Sequence, residues 1–170
     1  ETVTLDPKTA GPFVVLSQDY KTIQFRDGNQ SLPDISKRFT SNAAVLGSQG
    51  FTSGRHYWEV EVDKEKAWAV GVALESLLKK ELNLLPKCKE IWALRRDCDR
   101  QYKTDPAPPD PLTVTEELRR IRVHLDHEAG RVTFYNAENT KQIVQLQSTF
   151  TEKVFPYFCL YAVETQIRLC

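Results

Sequence analysis

The residues through which this sequence could do chemistry are three histidines, four cysteines and one run of bases. His124-Leu125-Asp126-His127-Glu128 brings two imidazoles and two carboxylates together, a set able to ligate a metal or relay a proton. The flanking alternation reads as a strand entering a tight turn. That places His124 and Asp126 on one side and His127 at the hairpin tip, so the side chains diverge. The reading is a polar hairpin, with no catalytic residue and no metal ligand. Cys88, Cys98, Cys159 and Cys170 lie at spacings of 10, 61 and 11 residues, unlike the CxxC pairs of zinc or redox sites. They are read as reduced thiols of a cytoplasmic protein. GxxxxGK, HExxH and GxSxG are absent, so nothing points to a cofactor or to a nucleotide-dependent, metalloprotease or serine-hydrolase reaction.

Charge is local. Lys79, Lys80, Lys87, Lys89, Arg95, Arg96, Arg100 and Lys103 face only Glu81, Glu90, Asp97 and Asp99 in the same stretch. One reading is a site for an anionic partner, whether a small ligand, RNA or an acidic peptide. The other is a solvated strand-and-loop face neutralised by its own acids, which would oppose phosphate binding. Across all 170 residues the 23 bases balance 23 acids, so there is no bulk electrostatic footprint for nucleic acid or an anionic membrane. No stretch approaches the length of a membrane helix, and the first residues lack a signal-peptide profile. Asn29-Gln30-Ser31 is a formal glycosylation acceptor without meaning in a cytosolic chain. The abrupt start and the strand-like finish suggest a module of a longer protein.

The elements that must position these groups are strands. In His56-Tyr57-Trp58-Glu59-Val60-Glu61-Val62, period-2 alternation sends Trp58, Val60 and Val62 to one face and Tyr57, Glu59 and Glu61 to the other. Ile23–Phe25, Ile121–Leu125, Val132–Tyr135 and Ile143–Leu146 read the same way. Trp68–Ala73 and Phe155–Ala162 are continuous apolar runs, as strands covered on both faces should be. Turn signals separate them, and Gly130 supplies a positive φ in the hairpin after Asp126. About a dozen short strands with this punctuation predict an all-β antiparallel sandwich with one or two short helical turns, one of them after Leu74. Asp105 to Pro111 is proline-rich and reads as an exposed loop, a stiff connector rather than a PxxP ligand. Trp58, Trp68 and Trp92 sit among apolar neighbours and are expected in the core.

Gly54-Arg55-His56-Tyr57-Trp58-Glu59-Val60-Glu61-Val62 resembles the PRY-SPRY (B30.2) family, and other family signatures follow in order. Leu5-Asp6-Pro7 is similar to the LDP motif, and Leu32-Pro33 to Arg38-Phe39 resembles the LP-to-RF stretch. Leu125 to Gly130 with Phe134-Tyr135-Asn136 resembles LDYE-x-G followed by SFYN, and Phe155-Pro156-Tyr157-Phe158 resembles the late PxF strand. His127 replaces the usual Tyr of LDYE, and Glu90 stands where a Gly usually precedes Ile91-Trp92. The resemblance implies a single domain over 1–170, with a PRY part to about residue 50 and a SPRY part beyond it. It further implies a bent, concanavalin-like sandwich that catalyses nothing.

Such modules resemble the C-terminal recognition parts of tripartite-motif and related RING-type E3 ubiquitin ligases, some in innate immune signalling, and of butyrophilins. Ligase activity would belong to an absent RING, and dimerisation to an absent coiled coil. The family's partner surface, on the concave sheet and its variable loops, maps onto Ser41, Asn42, Ala44, Ala69, Arg95, Asp97, Ala162 and Glu164. Charges at 95 and 97 with small residues at 44, 69 and 162 suggest an open concavity with Arg95 as its main donor, suited to a carboxylate or acidic peptide. The alternative partner is RNA or a small anionic ligand on the 79–103 bases, as in butyrophilin-like pockets. Neither reading has the domain itself touching a membrane.

Overall fold

A computed structural model of the chain describes residues 3–7, 14–25, 44–62, 67–75, 91–96, 102–105, 118–160 and 165–170. Twelve strands lie among them: β1 (Val14–Leu16), β2 (Thr22–Phe25), β3 (Ala44–Leu46), β4 (Arg55–Val62), β5 (Trp68–Leu74), β6 (Ile91–Arg96), β7 (Tyr102–Asp105), β8 (Arg120–Asp126), β9 (Arg131–Asn136), β10 (Lys141–Gln147), β11 (Val154–Leu160) and β12 (Gln166–Leu169). They form two antiparallel sheets. One runs β1-β2-β12-β4-β8-β9-β10 and the other β3-β11-β5-β6-β7.

Alternation decides which side chains the sheets enclose. Trp58, Val60 and Val62 of β4 join Ile121, Val123 and Leu125 of β8 and Phe134 of β9 in one continuous buried cluster. It takes in Trp68, Val70 and Val72 of β5, Trp92 and Leu94 of β6, and Phe158 and Leu160 of β11. All three tryptophans are therefore core residues, as expected. Each such side chain contributes about 1.5–3 kcal/mol by leaving water. Truncating the fully buried Phe134 to Ala would cost about 3–5 kcal/mol, because a cavity adds to the lost transfer energy.

β5 and β11 are buried along almost their whole length, in keeping with their unbroken apolar sequences. A second cluster explains this. Ala44, Leu46, Ala69, Ala73, Ile91, Ala93, Tyr157 and Cys159 pack together on the opposite face of the five-stranded sheet, with Phe155 against them. Pro156 lies inside β11, yet breaks no ladder. Its carbonyl accepts the Gly47 amide, so the backbone there points toward β3, which has already ended at Leu46, and the missing N–H has no strand opposite it.

Two expectations need correcting. Asp105 is not loop but the last residue of β7, an edge strand that pairs Asp105 with Ala93. His127 is not an outward tip: it is buried, its Nε2 lies 2.9 Å from the Glu152 carbonyl, and its ring packs against Phe150. The helical turn expected after Leu74 falls outside the described residues beyond Glu75, as does the proline-rich stretch after Asp105.

Candidate functional site

On the outer face of the five-stranded sheet the strand registers align one residue from every strand. Ala44 of β3 is opposite Cys159 of β11, Cys159 is opposite Ala69 of β5, Ala69 is opposite Arg95 of β6, and Arg95 is opposite Lys103 of β7. At about 4.8 Å between strands the row is roughly 19 Å long. Three positions chosen from sequence (Ala44, Ala69, Arg95) thus fall on a single line. The two alanines and Cys159 are buried, at 0%, 1% and 3% exposure, within an apolar cluster, so a partner could not touch them without displacing what covers them. Arg95 and Lys103 are half-buried and stand side by side at the β7 end.

Arg96 leaves this surface. Alternation turns it to the face of Trp92 and Leu94, and it is 4% exposed, opposite Trp68 and Tyr102. Tyr102 tilts against Trp68, and its hydroxyl accepts the Leu118 amide. That corner therefore ties β7 to the core and is no anion-facing patch. Ser41, Asn42, Asp97, Ala162 and Glu164 lie outside the described residues, as do Lys79, Lys80, Lys87, Lys89 and Arg100. Sequence reasoning overlooked Cys159. Its signal was its phase with Phe155 and Tyr157, which puts it on the same outward face.

The seven-stranded sheet presents a different outer face. Glu61 is opposite both Arg168 and Arg120, and its carboxylate accepts from their guanidiniums at 3.0 and 2.8 Å. The Arg120 hydrogen bond, with Arg168 beside it, holds the Glu61 carboxyl below the usual range, and Arg120 is raised in turn. Arg122 donates to Glu59 and lies over the Tyr57 ring. Asp126 accepts the Ala129 amide at 3.1 Å and the Arg55 Nε at 3.2 Å, which together lower its carboxyl. His124 and Asp126 share this face while His127 points inward, so the acid–imidazole grouping is dispersed. Among the described residues no cluster of three His, Cys, Asp or Glu side chains could hold a metal, and no helix is long and apolar enough to cross a membrane.

Comparison with known proteins assigns the scaffold. The SPRY domain family matches residues 55–170 and the SPRY-associated PRY family matches 3–51. The chain belongs to the PRY-SPRY family. It is 44% identical over 157 residues to E3 ubiquitin-protein ligase TRIM69 of Mus musculus, covering 92% of the chain and 31% of that protein. It is 44% identical over 154 residues to nuclear factor 7, ovary, of Xenopus laevis, covering 90% of the chain and 25% of that protein. The chain therefore spans about a third or less of these relatives. Among solved structures the TRIM65 PSpry domain superposes with TM-score 0.81 at 21% identity, over 100% of this chain and 90% of that one. A stonustoxin structure superposes with TM-score 0.83 at 22% identity, over 99% of this chain and 28% of that one. At such identity these two show the fold alone. The PRY-SPRY unit is a protein-interaction module.

Proposed function

We propose that this PRY-SPRY domain selects target proteins for a larger RING-type E3 ubiquitin ligase working in the cytoplasm, possessing no catalysis of its own. The observation that carries this is the 44% identity to a TRIM ligase across 92% of the chain. The sandwich supplies the physics. A frame buried on both faces of β5 and β11 holds Arg95 of the adjoining β6 still, so binding loses little to ordering. Arg95 is the donor we assign to a target's carboxylate, since a guanidinium pairs with one through two parallel hydrogen bonds. A role in innate immune signalling is part of the same proposal and depends on which target is chosen.

The test is the full-length parent carrying Arg95→Ala, with its ubiquitinated targets compared with wild type and the melting temperature of the isolated domain as a fold control. The expected result is loss of target modification by about tenfold or more, the cost of removing a charge-assisted pair. Unchanged targets with an intact fold would reject Arg95 as the donor.

The second reading is RNA or a small anionic ligand, favoured by the Arg95–Lys103 adjacency. A phosphate over that row meets two cations. Binding to single-stranded RNA would weaken with salt at a log-log slope of about −0.7 per displaced counterion, and a flat salt response would reject it.

A further inference from the structure

The four strands at the sheet edges are unequal. β1 and β3 have three residues each, β7 has four, and β10 has seven. β10 reads Lys-Gln-Ile-Val-Gln-Leu-Gln, with one charge, no proline and no glycine. An edge of that composition templates another strand unless something blunts it. Here a bulge between Gln142 and Val144 irregularises the first half, and the regular run is Val144 to Ser148.

The ladder fixes where the free groups point. The Ser148 amide donates to Gly130, so the alternation of an antiparallel pair directs the backbone polar groups of Leu146 and Val144 toward β9. Those of Gln145 and Gln147 point away from the sheet, and among the described residues nothing meets them. The side chains of Gln145 and Gln147 are exposed, whereas Leu146 is buried and Val144 half-buried at the margin of the core.

We propose that β10 is a self-association edge, at which two copies of this chain pair antiparallel about a two-fold axis at Leu146. In that register Gln145 of one copy lies opposite Gln147 of the other, twice, so all the free backbone groups of both residues bond across the interface. Leu146 meets its own symmetry mate, and Val144 meets Ser148. No two like charges face each other, because Lys141 lies outside the paired run. A second copy thus satisfies the free backbone groups without setting like charges opposite one another, and it is the one partner present wherever this domain is. Among the described residues each copy has one such edge, and because the two-fold pairing uses the same edge on both copies the assembly closes as a dimer and does not grow. This surface is on the sheet remote from the Arg95 row and does not depend on the target-binding proposal.

Charge swapping at the two exposed glutamines tests it by sedimentation equilibrium of the domain, with circular dichroism melts as the fold control. The double variant Gln145→Lys/Gln147→Lys opposes Lys to Lys at both pairs and should raise the dimer Kd at least about tenfold. Gln145→Lys/Gln147→Glu opposes Lys to Glu at both pairs and should restore or exceed wild-type affinity. A wild-type domain that stays monomeric at about 1 mM overturns the proposal. So does a dimer in which the two double variants behave alike, since the interface would then lie elsewhere; a monomer whose edge amides are protected only on adding a foreign peptide counts against it as well.

Discussion

Gly130 and Gly54 both have positive φ, at 70° and 78°, yet their surroundings differ, and the pair separates two costs that are usually confounded. A Cβ at Gly54 would come no nearer than 3.5 Å to any atom, the His56 Nε2. Gly54→Ala therefore carries only the backbone penalty of an L-residue in the left-handed region, about 1–2 kcal/mol. A Cβ at Gly130 would lie 1.7 Å from the Ser148 carbonyl oxygen, about half a normal contact, and no flexible side chain is there to yield. Relief requires β10 to move off β9. That movement sacrifices the 2.7 Å bond from the Ser148 amide to the Gly130 carbonyl, worth about 1 kcal/mol, and adds overpacking of about 1–3 kcal/mol. Gly130→Ala should thus destabilise by about 3–6 kcal/mol, a large part of a typical domain's total. Urea unfolding followed by tryptophan fluorescence measures both, with the slope m required to stay constant. Equal losses for the two variants would show that the close approach of Ser148 to the β8–β9 turn is not the reason for glycine at 130.

Two further outcomes follow from the same hairpin. Asp126→Asn should cost about 1 kcal/mol at neutral pH. The Asp126 carboxyl is lowered in the fold, so its stabilisation is complete above its unfolded value near 4 and disappears as pH falls through the folded one. The gap between wild type and variant should therefore close on acidification; a gap that persists at pH 2 contradicts the assignment. His127→Ala removes the bond to the Glu152 carbonyl and the contact with Phe150 and should cost about 2 kcal/mol, read as a melting shift. A shift like that of an exposed residue would mean the ring is not buried in solution.

Face assignment was legible because it depends only on period. β4 buries Trp58, Val60 and Val62 and leaves Tyr57, Glu59 and Glu61 outward, as the alternation requires. Gly130 was legible because turn chemistry is local. Register was not, since nothing in β6 says which residue of β7 lies opposite Arg95; that is set by packing between segments far apart. His127 was misplaced for the same reason. Its partners Phe150 and Glu152 arrive on a different stretch of chain, and Trp92 completes the aromatic contact from the other sheet. Of the proposed partner surface, Ala44, Ala69 and Arg95 were named through the family resemblance, and the burial of the two alanines was not readable, because the second apolar cluster is an emergent property of four strands packed together.

The placement of β12 has a consequence for how the chain is made. It lies between β2 and β4, bonded to Gln24 and its neighbours on one side and to Val62 and its neighbours on the other. During synthesis β1 and β2 emerge before the other strands of this domain, and a lone two-stranded ribbon is barely stable in water. They must wait, docked to nothing on this sheet, until Gln166–Leu169 leaves the ribosome and closes the gap. While this domain is being made the chain therefore carries an unpaired ribbon until its last strand appears, and the segment between Phe25 and Gln166 is where a holding chaperone would do most to keep it from straying.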